Sequence, residues 1–247
     1  MRHLSVISVL LAGLLPSSVP PAGAQGTLPL ETSRIARGRW SYEIRVQGRV
    51  IATLESIVRE EEGRLVSISR VRGSDRQHTE VEVRASDLEP LRSLTDNRGA
   101  EGSRLEAEVF YAPAGDSLSV VRRVVADTGP EGERFPPQST WRVAAADTYD
   151  LYALDLVLAS LPLEEPDGEW TFRLLDLTSR EPITVRAHTL PPRTITTPAG
   201  PSEVWRVRVE GQAMPVEYAF RRTDRVLVAQ RLPTQGVEIL LSGPGPR

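Results

Sequence analysis

From Trp40 to Gln47 the chain alternates without a break. Trp40, Tyr42, Ile44 and Val46 fall in one phase, and Ser41, Glu43, Arg45 and Gln47 in the other. A period of two belongs to a strand with one buried and one wet face; wound into a helix, the same residues would scatter their apolar side chains. The pattern recurs down the chain, punctuated by turn residues. Gln47-Gly48-Arg49 leads into a strand from Val50 to Glu60, and Glu62-Gly63 into one from Arg64 to Arg72. Thr79 to Ala85, Leu91 to Thr95 (after Pro90), the face of Leu105, Ala107, Val109 and Tyr111, and Ser117 to Ala126 continue it, with Asp96 to Gly99 as a turn. A second set follows: Trp170–Asp176, Ile183–Leu190, Arg193–Thr197, Glu203–Glu210, Val216–Arg221, Arg225–Arg231 and Val237–Leu241. Strands and turns at this spacing predict a mainly β protein, a curved antiparallel sheet or open β-barrel of roughly twelve to fourteen strands.

Between the two sets lies the one stretch with helical spacing, Asp147–Leu163. Leu151, Leu154, Val157, Leu158 and Leu161 share a face that Tyr152 and Leu156 widen. Asp147 or Thr148 can cap its start, Asp150 suits the positive end of the helix dipole, and Pro162 stops it, so one major helix is expected over about 148–161. So apolar a helix needs cover: it either packs on the sheet as ordinary core or lies across the mouth of a curved sheet and closes a cavity. The segment before it, Asp127–Ala146, holds Pro130, Pro136, Pro137 and Trp141 and reads as a long connection, either a surface crossover or a lid. Pro113-Ala114-Gly115 before Ser117 echoes Pro198-Ala199-Gly200 before Ser202, but turn chemistry accounts for both. One β-rich domain over residues 39–242 is expected, with a loose leader at 25–38 and a disordered Gly-Pro tail at 243–247.

Met1-Arg2-His3, the apolar run Leu4–Leu15, Pro16 and the small residues Ala22-Gly23-Ala24 have the form of a secretory signal peptide over residues 1–24, cleaved near Ala24. The expected location is periplasmic or secreted. No cysteine occurs, so neither disulfides nor a lipidated cysteine are expected, and stability must come from a buried core. Thirty Lys+Arg against 33 Asp+Glu, interleaved and with every basic residue an arginine, give no nucleic-acid footprint. No later run is long and apolar enough for a transmembrane anchor; an outer-membrane barrel is the structural rival, opposed by the 5% aromatic content and the central helix.

Catalytic chemistry finds little support. Gly115-Asp116-Ser117-Leu118 spells the serine motif of one lipase-esterase family, and Asp75-Arg76-Gln77-His78 spells the Asp-x-x-His of its base. Their order is reversed relative to that family, the surroundings are strands, and the lone Asn97 precedes the serine it should follow, so a hairpin turn is the plainer reading. After residue 24 only His78 and His188 remain as imidazole ligands, far apart and without cysteine, so no metal site is expected. The absence of lysine removes Schiff-base and P-loop chemistry. Glu60-Glu61-Glu62 and Glu164-Glu165 read as solvated turn acids, and the Arg206/Arg208 row as a charged sheet face that blocks edge aggregation. No cofactor and no catalytic residue are assigned.

Several short motifs nevertheless resemble one family. Tyr149-Asp150 before the helix, Leu161-Pro162-Leu163 after it, and Thr197-Pro198-Ala199-Gly200 followed by Val204-Trp205-Arg206-Val207 are similar to the exported bacterial proteins grouped as domain of unknown function 3108. So are the aromatic opening strand, Gly48, Ala52-Thr53 and Leu88-Glu89-Pro90-Leu91-Arg92-Ser93. The resemblance implies a periplasmic barrel or half-barrel, distantly like the lipoprotein carriers of the cell envelope, and brings no catalytic residues. The expected function is a non-catalytic envelope protein with an apolar small molecule or lipid acyl chain in the concave sheet face. Trp40, Tyr42, Trp170, Phe172 and Trp205 from the sheet and Leu154 and Leu158 from the helix are the expected ligand contacts. The alternatives are an assembly module that binds an envelope protein through a sheet edge or the 127–146 segment and, last, a serine hydrolase.

Overall fold

The computed structural model describes residues 28–99, 102–128, 134–176, 180–211 and 214–245. The expected signal peptide therefore lies outside the described residues. Eight strands come first: β1 Gly38–Val46, β2 Arg49–Glu61, β3 Arg64–Arg72, β4 Arg76–Arg84, β5 Pro90–Arg98, β6 Arg104–Ala114, β7 Ser117–Asp127 and β8 Gln138–Ala144. A short β9, Thr148–Asp150, leads through a 3-10 turn at Leu151–Ala153 into the single α-helix, α1, Leu154–Ser160. Six more strands follow: β10 Glu169–Leu175, β11 Ile183–Thr197, β12 Gly200–Glu210, β13 Val216–Arg221, β14 Leu227–Leu232 and β15 Val237–Pro244.

All fifteen strands form one sheet in the order β8-β7-β6-β5-β4-β3-β2-β1-β15-β14-β13-β12-β11-β10-β9. Every pairing is antiparallel except β9 with β10. Because β1 pairs with both β2 and β15, the two halves of the chain are joined edge to edge. The two free edges, β8 and β9, are consecutive in the chain, and the seam between them is where the barrel fails to seal. Leu175 of β10 packs with Leu118 and Val143 across that seam. Beside it the Tyr111 hydroxyl donates to Asp150 at 2.5 Å, and burial pushes both of these groups to titrate above their ordinary values.

The helix is shorter than its apolar spacing predicts. Residues 148–150 pair with Arg173–Leu175 as a strand, and Tyr149 packs edge-on against Phe172 at 6.0 Å. Asp150, in extended backbone, accepts from the Tyr152 amide at 2.7 Å and so caps the 3-10 turn rather than sitting inside a helix. A β-branched and an aromatic residue ahead of an Asp suit a strand and cap better than a helical first turn. The other end falls where proline requires it, with Leu161 extended before Pro162. Leu154, Leu156, Val157, Leu158, Ala159 and Ser160 are all buried, so α1 is enclosed by the barrel rather than laid on one face of a sheet.

Three other segments depart from expectation. The segment 28–37, expected to be loose, docks: Leu28 and Ile35 are core residues and the Glu31 amide donates to the Ser160 carbonyl at 2.8 Å, satisfying an end group of α1. The 127–146 connection holds a strand: Ser139, Trp141 and Val143 of β8 stand opposite Arg122, Val120 and Leu118 of β7. Pro136-Pro137 masked this pattern by reading as loop; residues 129–133 lie outside the described set. The tail is ordered to Gly245, whose amide donates to the Arg39 carbonyl at 2.9 Å.

Pro191-Pro192 does not separate two strands but bends one. The register of β11 with β12 shifts between Leu190 and Arg193, since prolines cannot donate to the ladder. The outer part of this hairpin folds over the outside of the barrel, where Ile195 and Val204 join Ala219, Val228, Ala229 and Leu240 in one apolar cluster. The Ala199 amide, in the Thr197–Gly200 turn, donates to the Leu241 carbonyl at 3.2 Å and fastens the flap. Elsewhere the outer face is charged: Arg92 bridges Glu82 and Glu108, Arg45 pairs with Glu43, and Arg206 with Glu217. Among the described residues the exposed large apolar side chains are Val50, Ile51 and Val125, so the outside carries no apolar belt, and no described helix is long and apolar enough to cross a membrane.

Candidate ligand cavity

The position of α1 divides the lumen. Toward the end where β2 turns into β3, α1 packs with Val58, Leu65, Val83, Leu88 and Trp170, and Leu28 and Ile35 close the layer. Toward the opposite end, where β1 turns into β2 and β3 into β4, the space is not filled. A half-open cavity of about 200 Å³ remains there. Its lining residues Val71, Gln77, Val216 and Leu232 stand at or one residue from the ends of their strands, which places the mouth at that rim.

The walls differ in chemistry. The β2–β4 side presents Ser56, Ser67, Ser69, Gln77 and Thr79 among Leu54, Val71 and Val81. The β13–β15 side presents Val216, Tyr218, Leu227, Leu232 and Ile239, with Gln230 donating to the Tyr218 hydroxyl at 3.4 Å. The floor is the start of the helical segment: Leu151, Tyr152, Leu154 and Asp155. Among the described lining residues Asp155 is the one charged side chain. One of its oxygens accepts from the Leu156 amide at 2.9 Å, and burial pushes its pKa up to about 6. The Tyr42 and Tyr218 hydroxyls are raised well above the ordinary tyrosine value, first by burial and then by the charge of Asp155.

A smaller void of about 30 Å³ adjoins this floor and shares Tyr42, Ser56, Asp155 and Leu227 with the main cavity; Trp40, Phe220 and Arg225 are among its other lining residues. On the outside, an open cleft of about 490 Å³ is lined by Trp205, Arg222, Arg225 and Glu164. There the Arg222 guanidinium lies 4.3 Å from the Trp205 ring centre, and Glu164 pairs with both Arg225 (2.5 Å) and Arg34.

The residues singled out in the sequence thus separate. Tyr42 and Leu154 line the cavity, and Trp40 the small void beside it. Trp170, Phe172 and Leu158 are packed into the core and border none of the three spaces. Trp205 faces the outer cleft. The hydroxyl-bearing wall was not picked out, and neither was Asp155, which reads as a routine polar residue on the helix. The signal for the wall lies in β3, where Leu65, Ser67, Ser69 and Val71 share a phase; Val66 and Ile68, equally apolar, share the other.

The serine motif is not assembled. Ser117 donates to the Ala114 carbonyl at 2.8 Å as part of the β6–β7 hairpin. His78 lies on β4 opposite Arg70 and Asp96, and β5 and β6 stand between its strand and that of Ser117, a separation of three strand spacings or roughly 14 Å. No group of His, Asp and Glu suited to hold a metal occurs among the described residues.

Residues 33–241 match the family model described as protein of unknown function (DUF3108), and the chain belongs to that family. A comparison with curated proteins gives no match. Among solved structures, the barrel is similar to a beta-barrel-like protein of domain of unknown function DUF1849 from Brucella abortus, with a TM-score of 0.57 at 9% identity over 84% of this chain and 96% of that one. That likeness is one of fold. An exported protein with YmcC-like fold from Bacteroides fragilis (TM-score 0.28, 7% identity, 90% and 100% covered) and a lipoprotein from Parabacteroides distasonis (TM-score 0.29, 9% identity, 89% and 99% covered) overlay too loosely to carry an argument.

Proposed function

We propose that this DUF3108 barrel is a non-catalytic binding protein of the cell envelope that holds the apolar part of a small molecule or lipid acyl chain in its lumen. The observation that carries the reading is the half-filled interior: α1 packs one end densely, while the other keeps a cavity of about 200 Å³ with a mouth at the rim. Interiors are normally close-packed, and a void of this size forfeits contacts on every wall. It exceeds the roughly 150 Å³ that admits benzene in an apolar cavity and falls below the roughly 300 Å³ at which enclosing sites for drug-sized ligands begin. One apolar segment therefore enters, and the rest of a larger ligand extends through the mouth. The signal-peptide form of residues 1–24 supports an envelope location.

The test is native mass spectrometry of the chain purified from the periplasm of its own host, alongside Val216→Trp, which places an indole in the cavity. Co-purified ligand on the wild type and none on the variant is the expected result; an empty wild type that also fails to take up a fluorescent alkyl probe removes the reading. A second reading rests on the free edge of β8, which among the described residues pairs only with β7. An envelope partner could add a strand there. Cross-linking from Thr140 in envelope extracts tests it, and recovery of an uncross-linked monomer alone would discard it.

A further inference from the structure

We infer that the luminal ligand carries a cationic head, a protonated primary amine on an apolar chain, and that Asp155, Tyr42 and Ser56 receive it at the cavity floor. The inference rests on the reading of the cavity as a ligand site and adds the chemistry of what enters.

The argument begins with charge. A carboxylate lies at the floor of a half-open, mostly apolar cavity, and among the described residues that line this main cavity none is basic. The chain has no lysine, and Arg225, which borders the adjoining void, is paired with Glu164 at 2.5 Å. A charge largely shielded from water is costly unless paired, so the partner that suits Asp155 is a cation that arrives with the ligand. An anionic head, whether carboxylate or phosphate, would face Asp155 as a like charge and is disfavoured.

Geometry adds a second constraint. Tyr42, Ser56 and Asp155 border both the main cavity and the small void, so three oxygen-bearing side chains line the boundary between them. An ammonium group has three N–H donors and no acceptor, which suits that set. The adjoining void is lined by Arg225 as well, so the head is placed on the main-cavity side of Asp155, where no basic side chain lines the wall. From the floor, the path to the mouth runs between Leu54 and Val71 on one wall and Val216 and Leu232 on the other, a sleeve for an alkyl chain. Tyr152 and Tyr218 are the other titratable groups facing Asp155 across the cavity, and both stay neutral because burial raises their pKa.

Calorimetric titration of the mature chain at pH 7.5 with n-octylamine, n-octanol and n-octanoate tests the assignment, with Asp155→Asn and Val216→Trp as variants. The amine is expected to bind at least tenfold more tightly than the alcohol, and the carboxylate most weakly. Asp155→Asn should weaken the amine roughly ten- to a hundredfold, the span of one hydrogen bond to a charged group, and leave octanol within about twofold. Retained octanol binding also shows that this variant is folded. Val216→Trp should abolish all three. Octanoate binding as tight as the amine, or amine binding untouched by Asp155→Asn but lost in Val216→Trp, overturns the cationic head and leaves the cavity reading standing. Failure of all three compounds to bind the wild type overturns both.

Discussion

Replacing Asp155 by asparagine should stabilise the protein at neutral pH and do nothing for it in acid. Burial moves the ionisation of this carboxyl from an ordinary 3.8 to about 6. At 1.36 kcal/mol per pKa unit, the charged form is disfavoured in the fold by about 3 kcal/mol. Water in the half-open cavity reduces this to about 2 kcal/mol. Because the folded pKa is the higher one, the stabilisation this group lends through proton uptake is fully present below 3.8. It is lost as the pH rises through the window from 3.8 to about 6, and it stays absent above. Asparagine keeps the acceptor for the Leu156 amide and never ionises. The difference in unfolding free energy, variant minus wild type, should therefore be near zero at pH 4 and climb to about +2 kcal/mol by pH 7.5. Asp150, also raised, and Asp96 and Glu164, held low by their arginine partners, titrate in both proteins and cancel in the difference. Urea unfolding of residues 25–247 followed by tryptophan fluorescence across pH 4–7.5 gives the profile, with equal m-values as the check that both unfold alike. A flat difference across the window, or a variant weaker than wild type at pH 7.5, would refute the claim that the fold disfavours the charged form of Asp155.

Phe172→Ala should cost about 3–5 kcal/mol, since the ring is fully buried beside α1 and touches no cavity into which the core could relax; thermal unfolding reads it. Tyr111→Phe removes the donor to Asp150 at the barrel seam and should cost about 1–3 kcal/mol in urea unfolding, against under 1 kcal/mol if that bond is dispensable. Ser117→Ala should change stability by no more than about 1 kcal/mol, and the wild type should not react with a fluorophosphonate probe; labelling lost in both Ser117→Ala and His78→Ala would restore the serine-hydrolase reading.

The sheet was legible because its signal is local and repeated. On β1 Trp40, Tyr42, Ile44 and Val46 alternate with polar residues, and on β4 Val81 and Val83 alternate with Glu80, Glu82 and Arg84, so period and phase could both be read. The helix was legible in its apolar stripe but not in its length, because Thr148-Tyr149-Asp150 fits a first helical turn by spacing and a strand by packing, and only the partner β10 decides. β8 was hidden by two prolines, and the flap made by β11 and β12 by two more, since proline reads as a boundary whether it ends a strand or only bends it. The site was harder still. The rule that apolar residues face inward fails on β3, where Val66 and Ile68 are buried on the outer side while Ser67 and Ser69 line the lumen. The aromatics chosen as ligand contacts were in the right phase, but phase cannot tell which level of a barrel a helix will fill. Trp170 and Phe172 lie at the filled level and Tyr42 at the open one.

That difference of level is the strongest ground for treating the cavity as a feature the fold maintains. A fifteen-stranded barrel sealed at all but one seam must still fill its interior, and α1 does so at one end with Leu156, Val157, Leu158 and Ala159. At the start of the same helix the sequence changes character. Asp155 stands one position from Leu154 on the floor, where a leucine would extend the packed layer, and four hydroxyl residues face it from β2, β3 and β4, where β-branched aliphatics would serve the sheet as well. Each of these choices lowers the stability of the empty protein, the carboxylate by about 2 kcal/mol on the reasoning above. They also occupy one connected surface, with a way out to solvent at the rim. Polar groups scattered through a core would be individual defects; gathered around one void, opposite an aliphatic wall, they make a surface that is satisfied only when something amphipathic lies against it.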